Sequence, residues 1–165
     1  MHWLKEKYGV LAVGTVASLL LDQLTKALVI FHFPKDGSTA IIPGFFDLYH
    51  AHNQGAAFGL FRGNPILFFL IVNLLAIGFI IYYFVKLDRG NLLLAAALSL
   101  IMGGALGNLL DRLRHGFVVD FLRFYVNDYS WPTFNVADIA IVIGVGIFAL
   151  DIIRTEIRLR KSPGR

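Results

Sequence analysis

The chain has 165 residues, of which 57% are hydrophobic and 16% charged, with a mean hydropathy of +0.68 and a formal net charge of +4. This composition excludes an ordinary soluble domain, and with so few charges we assign the positive excess to membrane topology and lipid headgroups rather than to nucleic-acid binding. The absence of cysteine excludes disulfides, thiolate metal sites and thiol catalysis.

Four apolar segments are each long enough to cross a bilayer, which takes about 20 helical residues. We expect a single integral membrane domain with an all-α fold, a four-helix transmembrane bundle that carries a small extracytoplasmic, β-containing loop region. The predicted helices are approximately 8–30, 65–85, 91–110 and 136–153. The predicted outer loops are 31–64 and 111–135, and residues 154–165 form a predicted cytoplasmic tail.

Lysine and arginine are unevenly distributed along this plan. Nine lie near the termini and in the turn between helices 2 and 3, and six lie in the outer loops and the adjoining helix ends. By the positive-inside rule, both termini are predicted to be cytoplasmic and both long loops to lie at the outer face.

Helix 1 ends in a polar segment that runs from Asp22 to Lys26. These two residues are four apart on one helix face, and a carboxylate inside an apolar helix usually faces the bundle interior. Two interpretations stay open. The pair is either an ion pair near the outer interface, with Lys26 extending toward the headgroups, or a pair that helps to position a functional site. In the second case Asp22 supports the site and takes no part in the chemistry.

The first outer loop contains proline and glycine turns followed by alternating aromatic and polar residues at 45–50. This pattern predicts short strands or a hairpin on the membrane surface, with Tyr49, Phe58 and Phe61 at headgroup depth. Residues 53–59 combine asparagine, glycine and alanine, which suits a tight turn. The Asn53 amide can both donate to and accept from an extended peptide, although such a pattern taken alone is more often an ordinary turn.

The end of helix 3, residues 103–112, combines small and polar side chains. Its glycines allow another helix or a substrate backbone to approach closely, and Gly104 belongs to this group. Asn108, Asp111 and Arg112 follow within about two turns, which brings together an amide, a carboxylate and a guanidinium. Asp111 and Arg112 fit either interfacial anchoring or substrate contact. Asn108 is the more suggestive residue, because a carboxamide at membrane depth is costly unless it binds something.

Two carboxylates bracket the second outer loop. Asp120 lies in a β-branched and aromatic segment that is predicted to be extended, and Asp138 lies in the first turn of helix 4, with Asn135 as the predicted N-cap. The loop is long enough to fold back and bring the two together. Two such neighbours share a proton, so one can activate water while the other polarises a carbonyl group. The sequence therefore predicts this pair as the active site.

Other chemistries fit less well. The H-E-x-x-H motif of zinc proteases is absent, and His50 and His52 lie two apart in a predicted surface strand, so we expect neither metal nor cofactor. Ser18 and Ser99 lie within helices without a histidine partner, which disfavours a serine nucleophile.

The main alternative is a small proton or cation channel or transporter that uses the intramembrane aspartates. A conduit needs polar groups across the whole layer, however, and these gather at one face.

Five ordered motifs carry a resemblance to a known family. They are Asp22-Gln23-x-Thr25-Lys26, Asn53-Gln54-Gly55-Ala56-Ala57-Phe58, Gly103-Gly104-x-x-Gly107-Asn108-x-x-Asp111-Arg112, Val118-Val119-Asp120-Phe121 and Phe134-Asn135-x-Ala137-Asp138. Together they resemble the bacterial lipoprotein signal peptidases (signal peptidase II) over nearly the whole chain, and no motif position departs from the family pattern.

This resemblance implies an aspartic endopeptidase of the bacterial inner membrane, with Asp120 and Asp138 as its dyad. Such an enzyme removes the signal peptide of a prolipoprotein immediately before a diacylglyceryl-modified cysteine and is blocked by the cyclic peptide globomycin. The implied substrate-groove residues are Asn53, Asn108, Arg112 and Asn135. The residues expected to support the site are Asp22, Lys26, Gly104 and Asp111. We expect a monomer in contact with membrane lipids and without a nucleic-acid partner.

Overall fold

A computed structural model describes residues 2–55, 65–88 and 90–161. The helices are α1 (His2–His32), α2 (Pro65–Lys86), α3 (Leu92–His115) and α4 (Val136–Lys161), and the strands are β1 (Ser38–Ile42), β2 (Phe46–Asn53), β3 (Val118–Val126) and β4 (Tyr129–Ser130). All four helices are long and apolar enough to cross a membrane. The predicted fold class, a helical membrane bundle with a small β-containing region, is confirmed.

Helix α3 lies at the centre of the bundle and packs against the other three helices. Most of its apolar span is buried, whereas most residues of the other spans face outward. Its glycines permit close packing: a Cβ on Gly103 would lie 2.6 Å from Ser18 Cβ on α1, and one on Gly104 would lie 2.5 Å from the Ala137 carbonyl oxygen on α4. The close approach predicted for this glycine run is therefore confirmed.

The outer faces of the bundle are apolar. Leu75 on α2 is 69% exposed and Val142 on α4 is also 69% exposed. Exposed apolar side chains of this kind pack favourably against lipid tails. The outward-facing surfaces of these helices therefore contact the bilayer.

The ends of α1, α3 and α4 lie beyond the predicted spans. The predicted end of helix 3 at residue 110 is wrong by more than one turn, because the helix continues to His115 and ends where Gly116 adopts a left-handed backbone with φ 78°. Asp111 and Arg112 are consequently helical and do not belong to the loop. Helix α4 likewise continues through most of the predicted tail, to Lys161.

The four strands form one antiparallel sheet in the order β1-β2-β3-β4. The strands predicted in the first outer loop are confirmed as the β1–β2 hairpin. The described part of the predicted turn ends at Gly55, whose φ is 79°. The remainder of that turn, together with Phe58 and Phe61, lies outside the described residues.

Two features of the sheet position the second loop. The pairing of β2 with β3 shifts register between Leu48 and Ala51, and Ala51 then lies opposite Asp120. Beyond β4, a bridge between Leu122 and Phe134 ties the segment before α4 to β3. The first turn of α4 therefore begins beside the strand that carries Asp120.

Candidate active site

Asp120 is buried on β3, with 1% of its surface exposed. Its two carboxylate oxygens each accept one amide N–H, from Asn135 Nδ2 at 2.7 Å and from Asn53 Nδ2 at 2.9 Å. Burial raises the pKa of Asp120 to about 7, and the charge of Asp138 acts in the same direction, while the two amide donors oppose the increase.

Asp138 lies in the first turn of α4 and is half-buried. The Asn135 side-chain oxygen accepts the Asp138 backbone N–H at 3.0 Å, and Asp138 Oδ2 accepts the Asn135 backbone N–H at 3.1 Å. This reciprocal pair is a capping box, and it confirms the predicted N-cap. The second oxygen, Asp138 Oδ1, accepts Asn108 Nδ2 at 2.9 Å.

Asn135 joins the two carboxylates. It is fully buried, and it holds Asp120 through its side chain and Asp138 through its backbone. Its side-chain oxygen faces the Asp138 N–H, so its NH2 group is committed to the opposite side, where it also approaches Asn108 Oδ1 at 3.2 Å. Two acids predicted from separate segments thus meet at one asparagine.

Arg112 lies beside this centre and is half-buried. Its Nη1 donates to the Asn108 carbonyl oxygen at 3.2 Å, and its guanidinium lies over the Phe69 ring at 4.9 Å. Within the described residues its hydrogen bond is to helix backbone and to neither carboxylate of the pair.

A second buried cluster lies behind Asn108. Lys26 Nζ is 2.9 Å from Asp22 Oδ2, 2.9 Å from Asp111 Oδ2 and 3.0 Å from Asn108 Oδ1. The lysine side chain is only 3% exposed, so the interpretation in which it extends toward the headgroups is wrong. Asp111 pairs with this lysine across the helix interface rather than with its neighbour Arg112.

A family model described as signal peptidase (SPase) II matches residues 14–154. The chain belongs to the signal peptidase II family. The lipoprotein signal peptidase of Symbiobacterium thermophilum is 46% identical, with 87% of this chain and 94% of that protein covered. That of Geobacter sulfurreducens is 43% identical, with 97% and 100% covered. A bacterial membrane enzyme solved by the in meso method shares the fold with a TM-score of 0.80 and 33% identity, covering 87% of this chain and 92% of that one.

These relatives confirm the resemblance and the predicted activity class: the protein is a bacterial multi-pass membrane peptidase. The channel or transporter alternative finds no support among them. The arrangement of polar groups agrees with this outcome, because the paired acids and the lysine cluster lie at one end of the bundle.

The sequence did not predict one residue of this cluster as a contributor. Gln23 Nε2 donates to Asp111 Oδ1 at 2.9 Å and to Asp22 Oδ2 at 3.2 Å, and its Oε1 accepts Arg114 Nη1 at 3.3 Å. The sequence held one indication of this role: Gln23 is an uncharged amide next to the intramembrane Asp22, and polar groups at that depth need partners.

An apolar cavity of about 330 Å³ opens beside Asp138. It is lined by Trp131, Phe134, Asp138, Ile139, Val142 and Ile143. The half-buried carboxylate is thus reachable from the side on which α4 faces lipid.

No group of three or more potential metal ligands occurs within residues 2–55, 65–88 and 90–161.

Proposed function

We propose that the protein removes signal peptides from prolipoproteins, immediately before the diacylglyceryl-modified cysteine, with Asp120 and Asp138 as its catalytic dyad. The observation that carries the proposal is the bridge through Asn135, which holds one acid by its side chain and the other by its backbone N–H. The relatives named lipoprotein signal peptidases support the substrate class.

The two acids have different surroundings, which supports different roles. Asp120 is buried and its pKa is raised to about 7, so it carries the shared proton. Asp138 is half-buried, accepts two N–H donors and lies at the positive end of the α4 dipole. It serves as the general base.

The reaction follows from these roles. Asp138 takes a proton from water as the water oxygen attacks the scissile carbonyl carbon, and Asp120 gives its proton to the carbonyl oxygen. In the resulting diol, Asp138 returns the proton to the amide nitrogen while the C–N bond breaks. One diol hydroxyl gives its proton back to Asp120, which restores the starting state.

The substrate groove is formed by the asparagines that hold the dyad together with Arg112. Asn53, Asn108 and Asn135 border the place where the scissile bond must lie, and Arg112 has guanidinium donors for peptide carbonyl oxygens. The cavity beside Asp138 accommodates an apolar part of the substrate, whose lipid chains stay in the bilayer. Globomycin, a cyclic peptide, competes for this groove.

The positive-inside count supports an orientation with both termini in the cytoplasm and the dyad at the outer face of the inner membrane. One chain supplies both acids and the cluster behind them, so the proposed site is complete in a monomer. The chemistry of the site requires neither metal nor cofactor.

The direct test uses purified protein in detergent with a lipidated prolipoprotein. Asp120→Asn and Asp138→Asn are each expected to reduce turnover by at least about 10³-fold, because each removes a group that must gain or lose a proton. Asp151→Asn, on the same helix as Asp138, is the matched control and should keep wild-type turnover. Processing should resist a metal chelator and be abolished by globomycin. Substantial turnover by either dyad variant would remove that residue from the mechanism.

A further inference from the structure

The buried acids behind the dyad each hold the backbone immediately before a dyad residue. Asp22 Oδ1 accepts the Ala137 N–H at 3.0 Å, one residue before Asp138. Asp111 Oδ2 accepts the Val119 N–H at 3.1 Å, one residue before Asp120. A carboxylate from α1 and one from α3 therefore hold the backbone segments that carry Asp138 and Asp120.

Lys26 connects these two attachments. Its ammonium group lies 2.9 Å from both acids, and all three side chains are at most 3% exposed. A buried carboxylate that loses its cation is strongly destabilised, and two adjacent ones also repel each other. Without Lys26, the acids could not both keep their positions as charged acceptors.

Lys26, together with the Asn135 NH2 group at 3.2 Å, also sets the direction of an amide that touches the dyad. An ammonium group can only donate, so the group that faces Lys26 at 3.0 Å must be the Asn108 oxygen. The Asn108 NH2 group is then directed to Asp138 Oδ1, at 2.9 Å. This orientation presents a donor, and never an acceptor, to the catalytic base.

We propose that Lys26 is a positioning residue for the peptidase reaction: through Asp22, Asp111 and Asn108 it fixes the backbones of both dyad residues and the direction of the amide that faces Asp138. The inference rests on the proposed function, which names the dyad. It predicts a defect in turnover, because the groups that Lys26 controls act on the proton-transferring residues.

The opposing explanation is that Lys26 serves only to stabilise the bundle. The chain contains a control for this, since Lys7 is also on α1 and is 3% exposed. Lys7 Nζ donates to the carbonyl oxygens of Leu87 at 3.0 Å and Phe84 at 3.4 Å, at the opposite end of the bundle. Lys7→Met therefore removes an equally buried cation without touching the dyad.

The experiment compares Lys26→Met with Lys7→Met on a lipidated prolipoprotein, using protein that elutes as a single species and whose thermal unfolding has been measured. For Lys26→Met we expect kcat to fall about 100-fold, as for a small misplacement of reacting groups, while KM changes by less than about threefold. For Lys7→Met we expect reduced thermal stability with kcat within about threefold of the wild type.

The comparison of kcat with stability separates positioning from simple stabilisation. A purely stabilising residue changes the temperature of unfolding and leaves kcat per folded molecule unchanged, whereas displaced dyad groups lower kcat in protein that is fully folded. Lys26→Met should show the second behaviour and Lys7→Met the first.

A milder variant keeps the inference testable if Lys26→Met does not fold. Asp22→Asn retains an oxygen for the Ala137 N–H but removes one of the two charges that hold Lys26, and we expect about 10-fold lower kcat with unchanged KM. Wild-type kcat in a folded Lys26→Met or Asp22→Asn protein would overturn the inference and leave the dyad intact. Turnover by Asp120→Asn or Asp138→Asn would instead refute the dyad.

Discussion

The two carboxylates of the proposed dyad each accept two N–H groups, but the origins of these donors differ. One donor to Asp138 is the Asn135 backbone N–H, whereas both donors to Asp120 are side-chain amides. The Asn53 amide has a fixed direction because its oxygen accepts the Gly55 N–H at 2.8 Å. A substitution can therefore remove one donor from Asp120 without altering the chain that carries it.

Asn53→Ala should move the basic limb of the activity profile to higher pH. The amide stabilises the charged form of Asp120, so its removal raises a pKa that already stands at about 7. Asp120 must be protonated to polarise the carbonyl, and activity is lost as pH rises through this pKa. The check is kcat/KM for lipidated prolipoprotein measured against pH, with the exposed β1 variant Ser38→Ala as control. A basic limb that stays in place or moves down would contradict the assignment of the proton to Asp120.

At the residue scale, the sequence predicted the chemical groups more completely than their contacts. Asp120 and Asp138 stood out because each lies among apolar neighbours, where an ionisable group is costly. Asn53 was expected to meet the substrate, and its bond to Asp120 could not be foreseen. That bond depends on the register shift before Ala51, which brings Asn53 diagonally opposite Asp120. Such a shift leaves no periodic signal in the sequence.

At the scale of helices, α3 and α4 cross with their backbones nearly in contact. A Cβ on Gly104 of α3 would lie 2.5 Å from the Ala137 carbonyl oxygen, and one on Gly144 of α4 would lie 2.6 Å from the Ala97 carbonyl oxygen. Each helix thus contributes a glycine where the other presents a carbonyl group. The first of these contacts lies one residue before Asp138, so the crossing fixes the backbone next to the proposed base.

Gly104→Ala should impair catalysis by displacing the first turn of α4. The new methyl group overlaps the Ala137 carbonyl oxygen, so Asp138 moves while Asp120 stays with the sheet, and kcat should fall about 100-fold. Overpacking of this kind also costs roughly 1–3 kcal/mol of stability. The measurements are turnover and thermal unfolding. The control is Gly146→Ala on α4, where a Cβ meets open space and activity should persist. Full activity in Gly104→Ala would show that the crossing does not set the dyad.

Hydropathy predicted where the helices exist but not where they end. The apolar run of α3 stops at residue 110, whereas the helix stops at Gly116, because only a residue tolerant of the left-handed conformation closes it. Asp111 remains helical because its charge is matched by Lys26 from α1. Lys26 lies 85 residues before Asp111 in the chain, so the residues around Asp111 give no sign of this contact.

Across the whole molecule, two buried lysines on α1 mark opposite ends of the bundle. Lys7 donates to carbonyl groups at and just beyond the end of α2, and Lys26 holds the cluster behind the proposed dyad. A helical rise of 1.5 Å per residue separates them by about 28 Å, which is close to the thickness of the hydrocarbon layer. The proposed dyad and the cluster behind it therefore lie together at the Lys26 end of the bundle.

The orientation can be tested without a background signal, because the chain has no cysteine. Ser130→Cys on β4 places a thiol on the side of the membrane where the proposed dyad lies. Asp88→Cys, in the turn after α2, places one on the opposite side. Both positions are exposed. In sealed right-side-out vesicles, a membrane-impermeant maleimide should label Ser130→Cys at once and Asp88→Cys only after permeabilisation. We expect this pattern because lysine and arginine are in excess at the termini and in the middle turn, which the positive-inside rule predicts to be cytoplasmic. The opposite pattern would place the dyad in the cytoplasm, where exported prolipoproteins could not present their signal-peptide junction to it.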